Sequence, residues 1–416
     1  MKHAAIKIEE GIQASADPAP SSARVPHLTA AAFCLTATTR GVIERASADR
    51  RLTRVKTEIA DGGVGQALRV FNGRRTPSLL IVEVSTAGRA LLQELDLLAQ
   101  VCDPETKVVV IGTENDISLY RNLMGRGIAE YLVGSFSPLA YVTMIQTLFG
   151  EESATKLGKV FAFVGAKGGV GSSTLAQNVA WTIAEEQASP TLLLDLDFRF
   201  GSAAVNLDLK AVTGIEKYMG DPEKLDAALL DRLVVRRGEF LNVLPAFDDP
   251  LGDIDPVPEA IERLIDIARA SFPFVVLDVP HDWTAASRDA LTSADEVIVV
   301  ASPDLPNLRN ARALMGQLRG LRPNDAAPRV ILNTCKMPKR KEIVAEKFAK
   351  SIGVRNYATM AFDPATFGTA SAEGRTIREQ APRGKAQGSV RQLVDSLTSQ
   401  GKKRPTGLLR RLFGRA

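Results

Sequence analysis

The sequence contains only three cysteines, Cys34, Cys102 and Cys335, and they lie far apart along the chain. Isolated thiols offer neither the even framework of a disulfide-rich domain nor the paired spacing of a zinc site. No stretch approaches the roughly 18 consecutive apolar residues that a membrane span requires, and no apolar run of a secretory signal follows Met1-Lys2-His3. We therefore expect a cytosolic protein that touches a membrane only peripherally.

Acidic side chains are absent from the last sixteen residues, which carry six basic ones. Removing those six charges from the net charge of +4 leaves −2, so the basic character belongs to a tail and not to a nucleic-acid-binding body. The hydrophobic content of 45% and charged content of 24% are ordinary for a globular protein, and 416 residues have room for two or three domains.

Composition and strand–helix patterning divide the chain into five segments. An Ala-, Ser- and Pro-rich leader is predicted to be disordered because it cannot bury enough apolar area to offset its ordering entropy. Two α/β domains follow, joined by a polar linker. The predicted segments are the leader 1–26, the first domain 27–150, the linker 151–158, the second domain 159–400 and the basic amphipathic tail 401–416.

The second domain begins with a glycine-rich loop between an apolar run, Val160–Val164, and a helical pattern, Leu175–Trp181. Glycines allow the backbone to approach a phosphate closely, and the start of a helix adds partial positive charge. A hydroxyl at Ser173 or Thr174 is placed to ligate Mg²⁺. The candidate binding residues are Lys167, Gly168, Gly169, Val170, Gly171, Ser172, Ser173 and Thr174.

This loop resembles the deviant Walker A loop of the MinD/ParA ATPases, which reads K-G-G-V-G-K-[ST]-T. The resemblance implies ATP and Mg²⁺ as cofactors and a homodimer in which Lys167 reaches the phosphates bound by the partner subunit. Ser172 stands where the family has its second lysine, a change that is seen in the TadZ/CpaE branch of pilus-assembly proteins. Because one fixed cation is lost where charge develops in phosphoryl transfer, we expect nucleotide binding with slow or negligible hydrolysis, at most a weak ATPase.

Three acidic residues follow predicted buried strands of the same domain. Asp195 and Asp197 end the run Thr191–Asp197, where alternation puts both on one side. By resemblance, Asp195 supports Mg²⁺ or the switch, and Asp197 positions the attacking water. Asp278 matches the Walker B acid and is a second metal candidate.

Two further residues near these acids take their interpretation from the family pattern. Asn333 lies where the family contacts adenine, although an Asn at a strand end is also a common turn former. His281 replaces the second proline of the family's D-x-P-P, and we interpret it as a loop residue and not a base.

The first domain alternates short apolar strands with helices and resembles a response-regulator receiver. Its predicted strands and helices are 31–35, 42–48, 79–84, 107–112, 120–126 and 129–133. Glu83 stands where a receiver has its phospho-acceptor aspartate, and Thr36–Thr39 replace the acidic pair after the first strand. Without acids to bind Mg²⁺, phosphoryl transfer has no metal clamp, so a docking or localisation role is favoured over regulated phosphorylation.

In the tail, Leu408, Leu409, Leu412 and Phe413 share one helical face, with Arg410 and Arg411 on the other. This resembles the membrane-targeting tail of MinD. A basic arm for nucleic acid is the alternative, but it does not explain the leucines, so nucleic acid is an unlikely partner.

Together these features indicate an α/β protein with a degenerate receiver-like (flavodoxin-like) domain, followed by a P-loop NTPase domain with a mostly parallel sheet. The resemblance implies a localisation factor for a Tad (type IV) pilus secretion machine, at the cytoplasmic face of an anionic inner membrane or at a cell pole. The alternatives are a ParA-type partition ATPase that binds DNA non-specifically and a MinD-like spatial regulator of division or flagella.

Overall fold

The computed structural model describes residues 25–86, 88–150, 157–210, 214–246, 256–354 and 357–398. The chain divides into two compact units, residues 1–154 and 155–416. Most of the predicted leader, most of the linker and the whole tail 401–416 lie outside the described residues. Within the described part, no helix combines the length and the apolar content needed to cross a bilayer.

The described residues of the first unit form a five-stranded parallel sheet with the strand order β2-β1-β3-β4-β5. This is the order of flavodoxin-like folds, and it confirms the predicted class. The strands are β1 (Leu28–Cys34), β2 (Val55–Asp61), β3 (Leu79–Glu83), β4 (Lys107–Gly112) and β5 (Glu130–Val133). The helices are α1 (Ala37–Ser47), α2 (Gly63–Phe71), α3 (Gly88–Ala99), α4 (Ile117–Gly125) and α5 (Pro138–Phe149).

Helices cover both faces of this sheet, which is why its central strands are continuous apolar runs. One face packs Ile43 and Tyr141 against the sheet, and the other packs Leu91 and Leu123. The edge strand β2 was not predicted because its sequence is largely polar and only Val55 of its seven residues is buried. Helix α1 begins five residues earlier than the apolar pattern indicated, because Thr36 caps it.

The described residues of the second unit form an eight-stranded sheet with the order β13-β12-β11-β6-β10-β7-β9-β8. Strand β8 is antiparallel to β9, and the other pairs are parallel. The strands are β6 (Lys159–Gly165), β7 (Thr191–Asp195), β8 (Val235–Arg237), β9 (Leu241–Leu244), β10 (Phe274–Val279), β11 (Glu296–Ala301), β12 (Arg329–Cys335) and β13 (Tyr357–Ala361). The helices are α6 (Ser172–Trp181), α7 (Ala203–Asn206), α8 (Ala227–Leu233), α9 (Pro258–Ser271), α10 (Ala285–Ser293), α11 (Leu305–Leu321), α12 (Ala345–Ile352), α13 (Pro364–Ala372), α14 (Ile377–Gln380) and α15 (Lys385–Thr398).

Strand β6 is the centre of this unit. Val160, Ala162 and Val164 enter the core on one face, and Phe161 and Phe163 enter the core on the other. The chain leaves β6 through α6, and the strands on its two sides are β10 and β11. Ligands of open parallel sheets bind at the carboxyl ends of strands where the connections diverge, which here is the end of β6.

Candidate nucleotide-binding site

The loop between β6 and α6 presents a row of unused main-chain donors. Within the described residues, no hydrogen bond is donated by the N–H groups from Gly168 to Thr174. Helix α6 begins at Ser172 without a side-chain cap, because the N-cap residue Gly171, which is left-handed with φ +86°, has no side chain. These amides and the helix dipole together form a site for an anion, and they fit the phosphates of a nucleotide.

Two asparagine side chains donate hydrogen bonds to carbonyl groups of this loop. Asn310 Nδ2 donates to the Ala166 carbonyl at 2.9 Å, and Asn333 Nδ2 donates to the Val170 carbonyl at 2.8 Å. A Cβ atom on Gly171 would lie 2.6 Å from Asn333 Nδ2, so this position requires glycine. Fixing the carbonyls fixes the peptide planes and therefore the directions of the N–H groups.

The asparagines also show what the sequence did and did not reveal. Asn310 was not predicted, because it comes from α11, 144 residues away, and no motif marks it. The predicted adenine contact of Asn333 stays a prediction. In this structure its side-chain amide serves the loop, and its oxygen accepts from Thr334 N at 2.8 Å.

The three polar side chains of the loop differ in their surroundings. Lys167 is exposed, and its ammonium has no ion-pair or hydrogen-bond partner among the described residues. The Ser172 hydroxyl is buried and also has no partner within them. Ser173, in contrast, lies beside the predicted Walker B acid Asp278, and its hydroxyl acts to lower the pKa of that carboxyl group.

Asp278 and Asp195 lie at the carboxyl ends of the neighbouring strands β10 and β7, directly opposite each other in the parallel register. Both are almost fully buried, at 3% and 1% exposure. Burial raises the pKa of Asp278 well above its ordinary range, and the Asp195 charge raises it further. Burial likewise raises the pKa of Asp195, although main-chain donors partly oppose this shift. Desolvated carboxyl groups that repel each other favour a cation between or beside them.

The donor set fits Mg²⁺ held partly by nucleotide and water. No group of three or more His, Cys, Asp and Glu side chains that could hold a metal ion occurs in the described part of the chain. Mg²⁺ commonly uses one or two protein ligands together with phosphate oxygens and water. Asp278 and Ser173 supply such a pair, whereas the Asp195 carboxylate already accepts from the N–H groups of Asp197 and Ala203, at 3.2 and 3.0 Å.

Asp197 does not lie on the strand that the sequence predicted for it. Strand β7 ends at Asp195, and Asp197 stands in the following turn, where its carboxylate accepts from Phe200 N at 3.0 Å. The alternation argument therefore fails for this pair, because the two carboxylates bind main-chain N–H groups and turn the chain. Asp197 is half-buried, and its predicted role toward the attacking water stays a prediction.

His281 lies against the glycine loop. It follows β10 three residues after Asp278, and a Cβ atom built on Gly168 would lie 3.3 Å from both Cε1 and Nε2 of its ring. The sequence placed His281 in a loop, but nothing in the sequence indicated this contact with Gly168.

In the receiver-like unit, Glu83 at the end of β3 is already saturated by the protein. Its Oε2 accepts from Leu35 N at 2.6 Å and Thr36 N at 2.9 Å. Its Oε1 accepts from the hydroxyls of Thr36 at 2.8 Å and Thr39 at 2.7 Å. Burial acts to raise the pKa of Glu83, but these hydrogen bonds outweigh it and hold the pKa below its usual value. The threonines that replace the receiver acids therefore bind an internal anion.

The central strand, the glycine loop and the acids at the carboxyl ends of β7 and β10 belong to a unit with the MinD/ParA P-loop NTPase fold. A family model described as an AAA domain matches residues 158–324. The septum site-determining protein MinD of Synechocystis is 26% identical over 167 residues, which cover 39% of this chain and 60% of MinD. The match thus spans less than two thirds of that relative.

Two solved structures extend the comparison. MinD of Pyrococcus horikoshii, complexed with Mg-ADP, has a TM-score of 0.51 and 20% identity, covering 59% of this chain and 98% of that one. The pilus assembly protein CpaE of Caulobacter crescentus is 45% identical over 31% of this chain and 98% of that one, with a TM-score of 0.31.

Proposed function

We propose that this protein binds ATP with Mg²⁺, dimerises across the nucleotide, and acts as a localisation factor for a Tad (type IV) pilus secretion machine at the inner membrane or a pole. One observation carries the proposal: a row of unpartnered amides from Gly168 to Thr174 stands beside an exposed, unpaired Lys167 in the described residues. Bound nucleotide would supply the anion for these donors, and Mg²⁺ would offset the charge of its phosphates.

A second copy of the chain accounts for the surface around the loop. Phe200, Val205 and Leu305 are 74%, 76% and 72% exposed. They follow the carboxyl ends of β7 and β11, the sheet edge that also carries the loop. Apolar side chains and an unpaired lysine at one edge favour burial against a partner that brings negative charge, as a nucleotide-bound copy would.

Slow hydrolysis follows from the residue at position 172. The loop of an ordinary P-loop protein places a lysine there to stabilise charge on the terminal phosphates. Ser172 supplies only a short hydroxyl, so the transition state loses one fixed cation. Binding by main-chain amides survives this loss, and nucleotide occupancy rather than turnover becomes the signal.

The pilus and membrane roles rest on the sequence features. Ser172 and a receiver-like unit without phosphorylation chemistry together resemble the TadZ/CpaE branch. The amphipathic tail 401–416 would bind an anionic bilayer weakly as a single copy. Two tails on one dimer would gain about 10²–10⁴ in avidity, so that nucleotide state would set membrane residence.

Sedimentation velocity with ATP·Mg²⁺, ADP·Mg²⁺ and no nucleotide tests the dimer. We expect ATP-dependent dimers for the intact chain, their loss in Lys167→Ala, and no change in the control Lys347→Ala, an exposed lysine of α12. Identical traces for Lys167→Ala and the intact chain would contradict the role of Lys167.

Flotation with anionic vesicles tests membrane binding by the tail. DNA binding with a steep salt slope and no flotation would instead favour a partition ATPase.

A further inference from the structure

The residue at position 281 lies where the glycine loop is open to solvent. Gly168 is exposed, and its missing side chain leaves the space that the His281 ring edge occupies, with Cε1 and Nε2 each 3.3 Å from a built Cβ atom. His281 is itself exposed and has no hydrogen-bond partner among the described residues. Its imidazole is therefore a free donor beside main-chain amides that are also free.

The neighbours of His281 do not compete for this donor. The adjacent Asp282 carboxylate accepts from the hydroxyls of Ser287 at 2.5 Å and Thr284 at 3.2 Å, so it is held by the start of α10. Asp278, near the end of β10, lies beside Ser173 and opposite Asp195. The ring edge that carries Nε2 faces Gly168, and nothing described on β10 or α10 binds it.

The residue at position 172 leaves the loop without the lysine of an ordinary P-loop. A P-loop lysine follows the last glycine and reaches the β- and γ-phosphates. Here the side chain after Gly171 is Ser172, whose hydroxyl is buried without a partner among the described residues. The loop thus has all its main-chain donors and no side-chain cation of its own at the usual position.

We propose that His281 is a nucleotide-binding residue that takes the place of the missing loop lysine. Its imidazole N–H donates to a terminal phosphate oxygen across Gly168. A histidine from the loop after β10 can serve this purpose only because position 168 has no side chain. The inference rests on the proposed binding of ATP.

Nuclear magnetic resonance on the full chain tests the contact directly. The sequence contains three histidines, His3, His27 and His281, so selective imidazole labelling gives at most three signals. Of these, only His281 belongs to the second unit. We expect the His281 signal, assigned by its absence in His281→Phe, to shift when AMP-PNP·Mg²⁺ is added, while the His27 signal stays in place.

Affinity measurements separate a donor from a packing residue. His281→Phe keeps a flat ring against Gly168 and removes the donor, so AMP-PNP·Mg²⁺ binding should weaken about tenfold. His281→Gln restores a donor and should recover part of that loss, and His27→Phe should change nothing. In the Ser172→Lys background, where the cation is restored, His281→Phe should cost clearly less than tenfold.

Each outcome bears on the inference. Nucleotide binding with an unmoved His281 signal and unchanged affinity in His281→Phe would overturn the inference and leave the proposed function standing. No nucleotide binding by the intact chain would overturn both. Unchanged affinity in the Phe variant together with a loss in the Gln variant would assign His281 to packing and not to phosphate recognition.

Discussion

Each of the two units has a buried carboxyl group near the carboxyl end of a strand, and the surroundings of these two groups differ. Glu83 ends the central strand β3 of the first sheet, and Asp278 is the last residue but one of β10, which lies beside the central strand β6 of the second. Four donors from Leu35, Thr36 and Thr39 satisfy Glu83 and hold its pKa below the usual value. Asp278 lies beside the Ser173 hydroxyl but faces Asp195, and burial and the Asp195 charge raise its pKa.

This difference indicates which of the two carboxyl groups is available to a bound cation. A carboxylate whose oxygens are all hydrogen-bonded by the protein stabilises the fold and does not need a bound cation. A desolvated carboxylate beside a second acid is destabilising until a cation arrives. We therefore call the Glu83 site of the receiver-like unit the closed site and the Asp278 site of the second unit the open site.

The largest expected effect comes from neutralising the open site. Asp278→Asn removes a proposed Mg²⁺ ligand, so the Mg²⁺-dependent gain in AMP-PNP affinity should fall about 10–100-fold. Because the change also removes repulsion with Asp195, the nucleotide-free protein should not lose stability. Calorimetric titration with and without Mg²⁺ measures the first effect, and denaturant unfolding measures the second.

Asp289→Asn provides the control for this variant. Asp289, on α10, is a partly buried carboxyl group of the same unit whose pKa is also raised by burial. Asp289→Asn should leave the Mg²⁺ dependence of AMP-PNP affinity unchanged. An Asp278→Asn variant that binds nucleotide with the full Mg²⁺ dependence would break the comparison, since Asp278 would then be as closed as Glu83.

The closed site should respond in the opposite way. Glu83→Gln keeps the shape but turns one acceptor oxygen into an NH₂ group facing donors, and should cost about 1.5–3 kcal/mol of unfolding free energy. Hydrogen exchange of the amides at Leu35 and Thr36 should accelerate, and AMP-PNP affinity should stay the same. Glu58→Gln, on the exposed edge strand β2, is the control. Equal stability of Glu83→Gln and the intact chain would show that the four hydrogen bonds contribute nothing net.

Much of the architecture could be predicted because central strands are continuous apolar runs between turn signals. The predicted strand 107–112 matches β4 completely, and the glycine loop was found with its strand and helix. Edge strands were missed, as β13 shows: four of its five residues are exposed, so its sequence carries no hydrophobic pattern. Strands β8 and β9 are short and were missed as well.

The site was predictable only where its chemistry is local in sequence. The loop residues and Asp278 belong to motifs, whereas Asn310 and His281 reach the loop from other elements across the sheet edge. Similarly, the sequence showed that Thr36 and Thr39 replace receiver acids, but only the structure shows that they donate to Glu83. Contacts between distant segments depend on strand register, which a single sequence does not reveal.

The smallest expected effect is the pH dependence of the closed site. The folded-state pKa of Glu83 lies below its ordinary value of 4.5, so its contribution to stability is complete above that value and is lost as the pH falls through the folded-state pKa. The difference in unfolding free energy between the intact chain and Glu83→Gln should therefore be constant from about pH 7 to 5.5 and shrink below pH 4.5. Denaturant titrations at several pH values measure this difference. A gap that widens on acidification would mean that the carboxyl group is bound in its protonated form, and Glu83 would then resemble Asp278 instead of contrasting with it.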